Sequence, residues 1–316
     1  MKSSLIIISL VFLFSCSRQK PSVSETTMGP EPEAYSFSGK PLYRKPVATP
    51  ADSAALVKSD STIAAIGTKS ELSETDFIDI GRTLSSTNRF KMAVENYTLG
   101  LKKYPSSFRL LRHRGHRYIN LRQLDSAIVD LTKAEELIRP EGDVWEYDAA
   151  GKPSATYQHQ IWYHIGLYHF LKKDYVVAAA DFEKSLAATQ AKNDGKNKAG
   201  ASDWLYNSYQ RSGQKNKIDN VLKQFTLDYD IEDKEYPYFR RLLLYKGLIK
   251  PEDLIDINKP ISEMSLLEMT KLYGLANWYS YNGDKETANI FYKKILDSKE
   301  WAGFAYAAAE LDVVKN

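Results

Sequence analysis

The chain has 316 residues, with 43 basic and 40 acidic side chains and a formal net charge of +3. That near-balance and a mean hydropathy of −0.43 speak against a nucleic-acid binder and against a membrane bundle. The 21 tyrosines and 5 tryptophans supply stiff, amphipathic area for helix packing first and for a binding surface second.

Met1-Lys2 is a short basic start, Leu5 to Phe14 is apolar apart from Ser9, and Ser15 precedes the only cysteine, Cys16. The run is too short to anchor in a bilayer and reads as a signal peptide over residues 1–15. Leu13-Phe14-Ser15-Cys16 resembles the lipobox, which implies that Cys16 is lipidated with palmitate-like chains and becomes the new N-terminus. Several acyl chains at ~0.8 kcal/mol per buried CH₂ would hold the protein on a membrane. Ser17-Arg18-Gln19-Lys20 carries no aspartate, which by resemblance to enteric sorting implies the cell outer membrane. Its basic character departs from acidic surface-export signals, so the periplasmic face is expected.

Residues 16–70 are rich in Ser, Thr, Pro and Ala and read as a flexible tether. Within it, Gly39-Lys40-Pro41-Leu42-Tyr43 is a patch able to dock on the folded part, and residues 51–66 a candidate helix.

A period follows. Gly81, Ala93, Tyr97, Gly100 and Pro105 are matched 34 residues later by Gly115, Ala127, Leu131, Ala134 and Arg139-Pro140. Small residues at fixed offsets are expected where two helix backbones approach most closely. A third unit carries Trp162, Ile165, Gly166, Ala178, Phe182 and Ser185, with its alanine 51 residues after Ala127. The excess over one period places an insertion at residues 142–158, either a functional flap or an inert loop. A weaker unit follows with Trp204, Leu205, Tyr209 and Gly213. The last strong one has Leu272, Leu275, Ala276, Tyr279, Gly283-Asp284, Ala288 and Tyr292, with a degenerate unit between. A helix over 302–314 would cap the end.

These offsets resemble the tetratricopeptide repeat (TPR), a helix–turn–helix unit stacked into a solenoid. The fold implied is all-α: about five helix pairs plus a capping helix, with repeats one and two over 71–141 and the rest over 159–316. The layout of anchor, tether, strong early repeats and strong late repeat, with Trp204-Leu205-Tyr206 and Asn282-Gly283-Asp284, also resembles NlpI-type outer-membrane TPR lipoproteins. That likeness implies an adaptor for a periplasmic protease or cell-wall hydrolase.

In TPR proteins the first helix of each repeat lines a concave face. Here the resemblance implies a groove of Arg82, Arg109, Arg112, His113, His116, Ile119 and Asn120, continuing through Gln160, Tyr163, Leu167, Phe170 and Leu171. A basic half beside an apolar-aromatic half suits an extended peptide with a carboxylate. The lysines and asparagines of chaperone-type carboxylate clamps are absent. A solvated basic helix face is the plainer alternative.

His113 and His116 stand one helical turn apart, but neighbouring arginines would repel a cation, and His159, His164 and His169 spread around their helix. No metal and no cofactor are expected. Gly-x-Ser-x-Gly, His-Glu-x-x-His and phosphate-loop patterns are absent. The reading is a non-enzymatic envelope scaffold binding a protein or peptide. The alternatives are a receptor for a small anionic or cell-wall-derived ligand, and a homodimer formed through the degenerate repeats.

Overall fold

The computed structural model describes residues 31–142, 144–148, 151–190 and 194–313. Cys16, the signal-peptide reading and the sorting residues lie outside them. From Pro32 onward the chain forms one compact unit.

It opens with a hairpin, β1 (Ala34–Tyr35) and β2 (Pro41–Leu42), paired Ala34 to Leu42 and Tyr35 to Pro41. Ala34 and Leu42 turn into the core while Tyr35 stays outside, as the period of two requires. Helix α1 (Pro50–Gly67) follows, started by a Thr49/Asp52 capping box. The tether reading is therefore corrected from residue 32 onward: low hydrophobicity concealed a strap in which Ala34 and Leu42 are buried and Phe37 partly so, while Tyr35, Tyr43 and Val47 stay exposed.

The pairs α2–α3 (Glu74–Ser86, Phe90–Lys103), α4–α5 (Phe108–Asn120, Leu124–Ile138) and α6–α7 (Tyr157–Leu171, Tyr175–Gln190) follow the expected register. Between the second and third lies the insertion, a hairpin of β3 (Trp145–Tyr147) and β4 (Pro153–Thr156). Next come α8 (Gly195–Ser212) with short α9 (Ile218–Leu222), and α10 (Pro237–Tyr245) with short α11 (Pro251–Leu254). The stack ends with α12–α13 (Leu266–Tyr281, Lys285–Leu296) and α14 (Phe304–Asp312).

Every turn inside a pair contains one left-handed residue: Asn88, Arg122, Lys173, Gly213, Gly247 and Gly283, with φ between 57° and 94°. The six turns mark six pairs among the described residues, so the degenerate middle holds two shortened units. Asn88 and Arg122 stand 34 residues apart, and so do Gly213 and Gly247. Where the residue is not glycine the turn carries strain.

The small residues work by close approach. A Cβ on Gly81 would lie 2.2 Å from the Tyr97 ring, one on Gly115 2.8 Å from Leu131, and one on Gly166 2.8 Å from Phe182. Ala93, Ala127 and Ala178 are fully enclosed, and Ala288 is buried in the same way. In α12 the notch is Gly274, where a Cβ would meet Arg241 at 2.3 Å. Arg241 there forms an ion pair at 2.9 Å with Asp203, both fully buried, inside a ring of Trp204, Tyr238 and Tyr273.

Helix α14 does more than cap the last pair. It packs against α12, α13 and α6, and the loop before it reaches α4, where Asn120 donates to the Ala302 carbonyl at 2.7 Å. Arg122 bridges to Glu310 at 2.9 Å and to the Trp301 carbonyl at 2.8 Å. The N-terminal strap seals the same junction: Trp301 donates to the Tyr43 carbonyl, Phe37 N–H to Glu310, and Lys45 pairs with Glu300. Early and late repeats are thus joined directly.

Candidate functional site

The first helices do gather the expected side chains on one inner face, but that face is already filled. On α4, Arg112 and His113 are buried at 6% and 3% exposure, and so is Glu146 of the insertion hairpin, at 6%. Arg112 Nη2 meets Glu146 Oε2 at 3.0 Å, and His113 Nε2 lies 3.4 Å from Oε1. Arg112 Nη1 also donates to His113 Nδ1 at 3.0 Å. A guanidinium can only donate, so Nδ1 carries the lone pair and the His113 proton sits on Nε2, near Glu146 but without a hydrogen bond to it.

The insertion is therefore a flap that places a carboxylate where the sequence anticipated one from a ligand. It is held further by Arg82, which donates to the Tyr147 carbonyl at 2.8 Å. Arg109 is engaged by Glu74 at 3.4 Å and stacks over Phe108. Of the remaining arginines on α4, Arg114 grips Asp130 through two bonds of 2.7 and 2.8 Å. Arg117 pairs with no carboxylate among the described residues and donates to His116 Nδ1 at 2.5 Å.

The second half of the expected groove is closed too. The His116 and His164 rings lie 4.2 Å apart, with Phe304 of α14 at 5.2 Å from His116. Tyr163 reaches Tyr238 through its hydroxyl at 3.5 Å. Phe170 packs edge-on to Trp204 at 4.9 Å and under Arg211. Leu167 and Leu171 are buried. Arg112, His113, Asn120 and Phe170 are thus interior residues, which corrects the open-groove expectation. Arg112, His113, His116 and Asn120 are covered from outside the repeat pattern, by the insertion hairpin and by α14 with the loop before it, whereas Tyr163 and Phe170 are covered by the next units, α8 and α10.

Burial, and then Arg112 and other cationic neighbours, hold His113 and His164 well below the ordinary histidine range. Burial and Arg117 do the same to His116. Burial pushes His159 down to about 4, against a bond with the Ser185 carbonyl that works the other way. At neutral pH these are uncharged rings. Among the described residues no group of three His, Cys, Asp or Glu side chains is placed to hold a metal ion. No described helix is long and apolar enough to cross a membrane.

Sequence reasoning missed Glu146, Trp301, Phe304 and Glu310, which complete the inner face. Only Glu146 carried a signal, as an acid in an insertion following a basic helix. An open cleft of about 600 Å³ does lie beside the flap, between the hairpin, the start of α8 and the loop at 230–232. Its lining includes Asp194, Asp230 and Glu232 against Lys152 and Lys196, with Trp145 and Ile231 as apolar walls.

No protein-family model and no curated protein matches the chain. Solved structures similar to it include a tetratricopeptide repeat protein from Parabacteroides merdae, 15% identical, with a TM-score of 0.48 over 78% of this chain and 87% of that one. YrrB, described as a TPR protein with an unusual peptide-binding site, is 14% identical with a TM-score of 0.39 over 76% and 92%. MamA is 17% identical with a TM-score of 0.39 over 72% and 91%. With stacked helix pairs, the first two in a 34-residue register, a left-handed residue in the turn of every pair and a small residue at the close approaches of α2, α4, α6 and α12, the chain has the tetratricopeptide-repeat fold.

Proposed function

We propose that the chain is a non-enzymatic scaffold of the bacterial cell envelope, lipid-anchored through Cys16 and facing the periplasm, that binds a protein partner. The observation behind this reading is a helix-pair stack whose inner face is closed by its own flap and by α14, while the cleft beside the flap stays open. Carboxylates outnumber ammonium groups in that cleft, and Trp145 and Ile231 flank them. It suits a partner segment carrying a lysine or arginine next to an apolar side chain. The likeness to NlpI-type lipoproteins points to a periplasmic protease or wall hydrolase as the class of partner.

Crosslinking in intact cells followed by pull-down tests this. A partner recovered with the natural chain should be lost with Asp230→Lys/Glu232→Lys at unchanged thermal midpoint, and should be depleted when Cys16→Ser releases the protein from membranes. Recovery that is indifferent to the charge reversal would refute the cleft, and failure of Cys16 to take up labelled palmitate would refute the anchor.

A further inference from the structure

We infer that Asp194 is the carboxylate of the open cleft that receives the partner's cation, and that the buried seat of the insertion hairpin on α4 holds Asp194 in place. The inference rests on the reading of the cleft as the partner site and names its central contact. Of the carboxylates lining the cleft, Asp148, Asp230 and Glu232 are exposed, and only Asp194 is half-buried. Glu232 already lies 3.6 Å from Lys196. Asp194 forms no ion pair among the described residues, and Lys198 and Lys196 act on it only at a distance. Burial pushes its carboxyl up, against bonds from Asn197 that favour the charged form. A lysine or arginine of the partner would relieve that cost, and water screens a half-buried contact less than an exposed one. Trp145 and Ile231 wall the same space and fit the apolar stem of such a side chain.

A continuous line of polar contacts runs from α4 to this carboxylate. Arg112 Nη2 holds Glu146 Oε2 at 3.0 Å on the buried face of β3. The Glu146 carbonyl accepts the Ser154 hydroxyl at 3.1 Å, which ties β3 to β4. The Ser154 carbonyl in turn accepts Asn197 Nδ2 at 2.8 Å. Asn197 also donates its backbone N–H to Asp194 Oδ1 at 3.1 Å and its side-chain amide to Oδ2. Nδ2 carries two hydrogens, one for each acceptor. Arg82 braces the same hairpin at the Tyr147 carbonyl. On the far side, a Cβ on Gly195 would run into the Asp230 carbonyl, so the 230–232 loop is pressed against the same helix start. Glu146 and Asn197 do not line the cleft. Both act on the partner as positioning residues, through Ser154 and Asp194. Arg112 of α4 thereby bears on a site that it does not touch.

The test uses the unacylated Cys16→Ser chain over residues 16–316 and the capped peptide acetyl-Leu-Lys-Leu-amide, with norleucine in place of lysine as the uncharged control. Calorimetry should show binding of the lysine peptide alone. Asp194→Asn keeps the helix cap and should weaken that binding about tenfold or more, the worth of one charge-assisted bond, at an unchanged thermal midpoint. Asp230→Asn, at an exposed position, should weaken it less than about threefold. Glu146→Gln and Asn197→Ala should each weaken it by about two- to thirtyfold and speed amide hydrogen exchange in β4 and at the start of α8. Arg139→Met, on the exposed surface, should change neither. Natural affinity in Asp194→Asn overturns the assignment. Faster exchange at unchanged affinity, or natural exchange rates in both positioning variants, overturns the relay. Recovery of the crosslinked partner is the second readout and decides if the peptide does not bind. A partner lost with Asp230→Lys/Glu232→Lys but kept with Asp194→Asn leaves the cleft standing and overturns Asp194, whereas one kept with both refutes the cleft itself.

Discussion

Replacing Glu146 by alanine removes the one carboxylate among the described residues that lies against both Arg112 and His113. Both members of the ion pair are buried, at 6% exposure each, so solvent screening does not dilute the effect. The loss is of a 3.0 Å charge-assisted contact with Arg112, at a carboxylate that also lies 3.4 Å from His113 Nε2. Breaking such a pair from one side costs about 3–5 kcal/mol, because the stranded guanidinium stays desolvated. At a urea dependence of about 3 kcal/mol/M the unfolding midpoint would drop by about 1 M or more. Arg112→Met should recover part of that loss in the double variant, since no unpaired charge then remains. Urea unfolding of the single and double variants, followed by tryptophan fluorescence, gives the coupling energy directly. A Glu146→Ala cost below about 1 kcal/mol, or additive single and double variants, would show that the flap carboxylate is not seated in the arginine pocket.

The neutral buried histidines make the fold acid-labile. Below about pH 6.5 the unfolded chain takes up protons that His113, His116, His164 and His159 in the folded chain refuse. Stability is therefore full above that pH and is lost as pH falls. For His159, whose folded value is about 4, the share is about 3 kcal/mol once pH is below 4. Denaturation midpoints equal at pH 7 and pH 5 would contradict this. Gly→Ala should have opposite signs at two helical sites. At Gly166 the new methyl lies 2.8 Å from the Phe182 ring and costs about 1–3 kcal/mol. At Gly200 nothing is nearer than 3.8 Å, and helix propensity gains about 0.5–1 kcal/mol. Thermal midpoints read both, and two changes of the same sign would refute the packing argument. Lys173→Gly relieves a left-handed turn residue at φ 64° and should stabilise by about 1 kcal/mol; a lowered midpoint would mean that the Lys173 bond to the Leu311 carbonyl outweighs the strain.

By itself the sequence determined what repeats locally. Glycine and alanine at one spacing show where helices must touch, because a Cβ has a fixed size and a helix a fixed pitch. That is why Gly81, Gly115 and Gly166 were legible as notches, and why the insertion at 142–158 could be located by arithmetic. The basic character of α4 and its need for a carboxylate were legible as well. The tertiary structure alone decided that Glu146 supplies that carboxylate, that Phe304 covers His116, and that residues 32–45 strap early repeats to late ones. Those contacts join positions up to 273 residues apart, as Phe37 to Glu310 does. Nothing in a local pattern records them, since one carboxylate or one ring satisfies an inner face from any segment that reaches it. The repeat fixes the walls of the groove, whereas its occupant is set by how the non-repeating ends of the chain fold back.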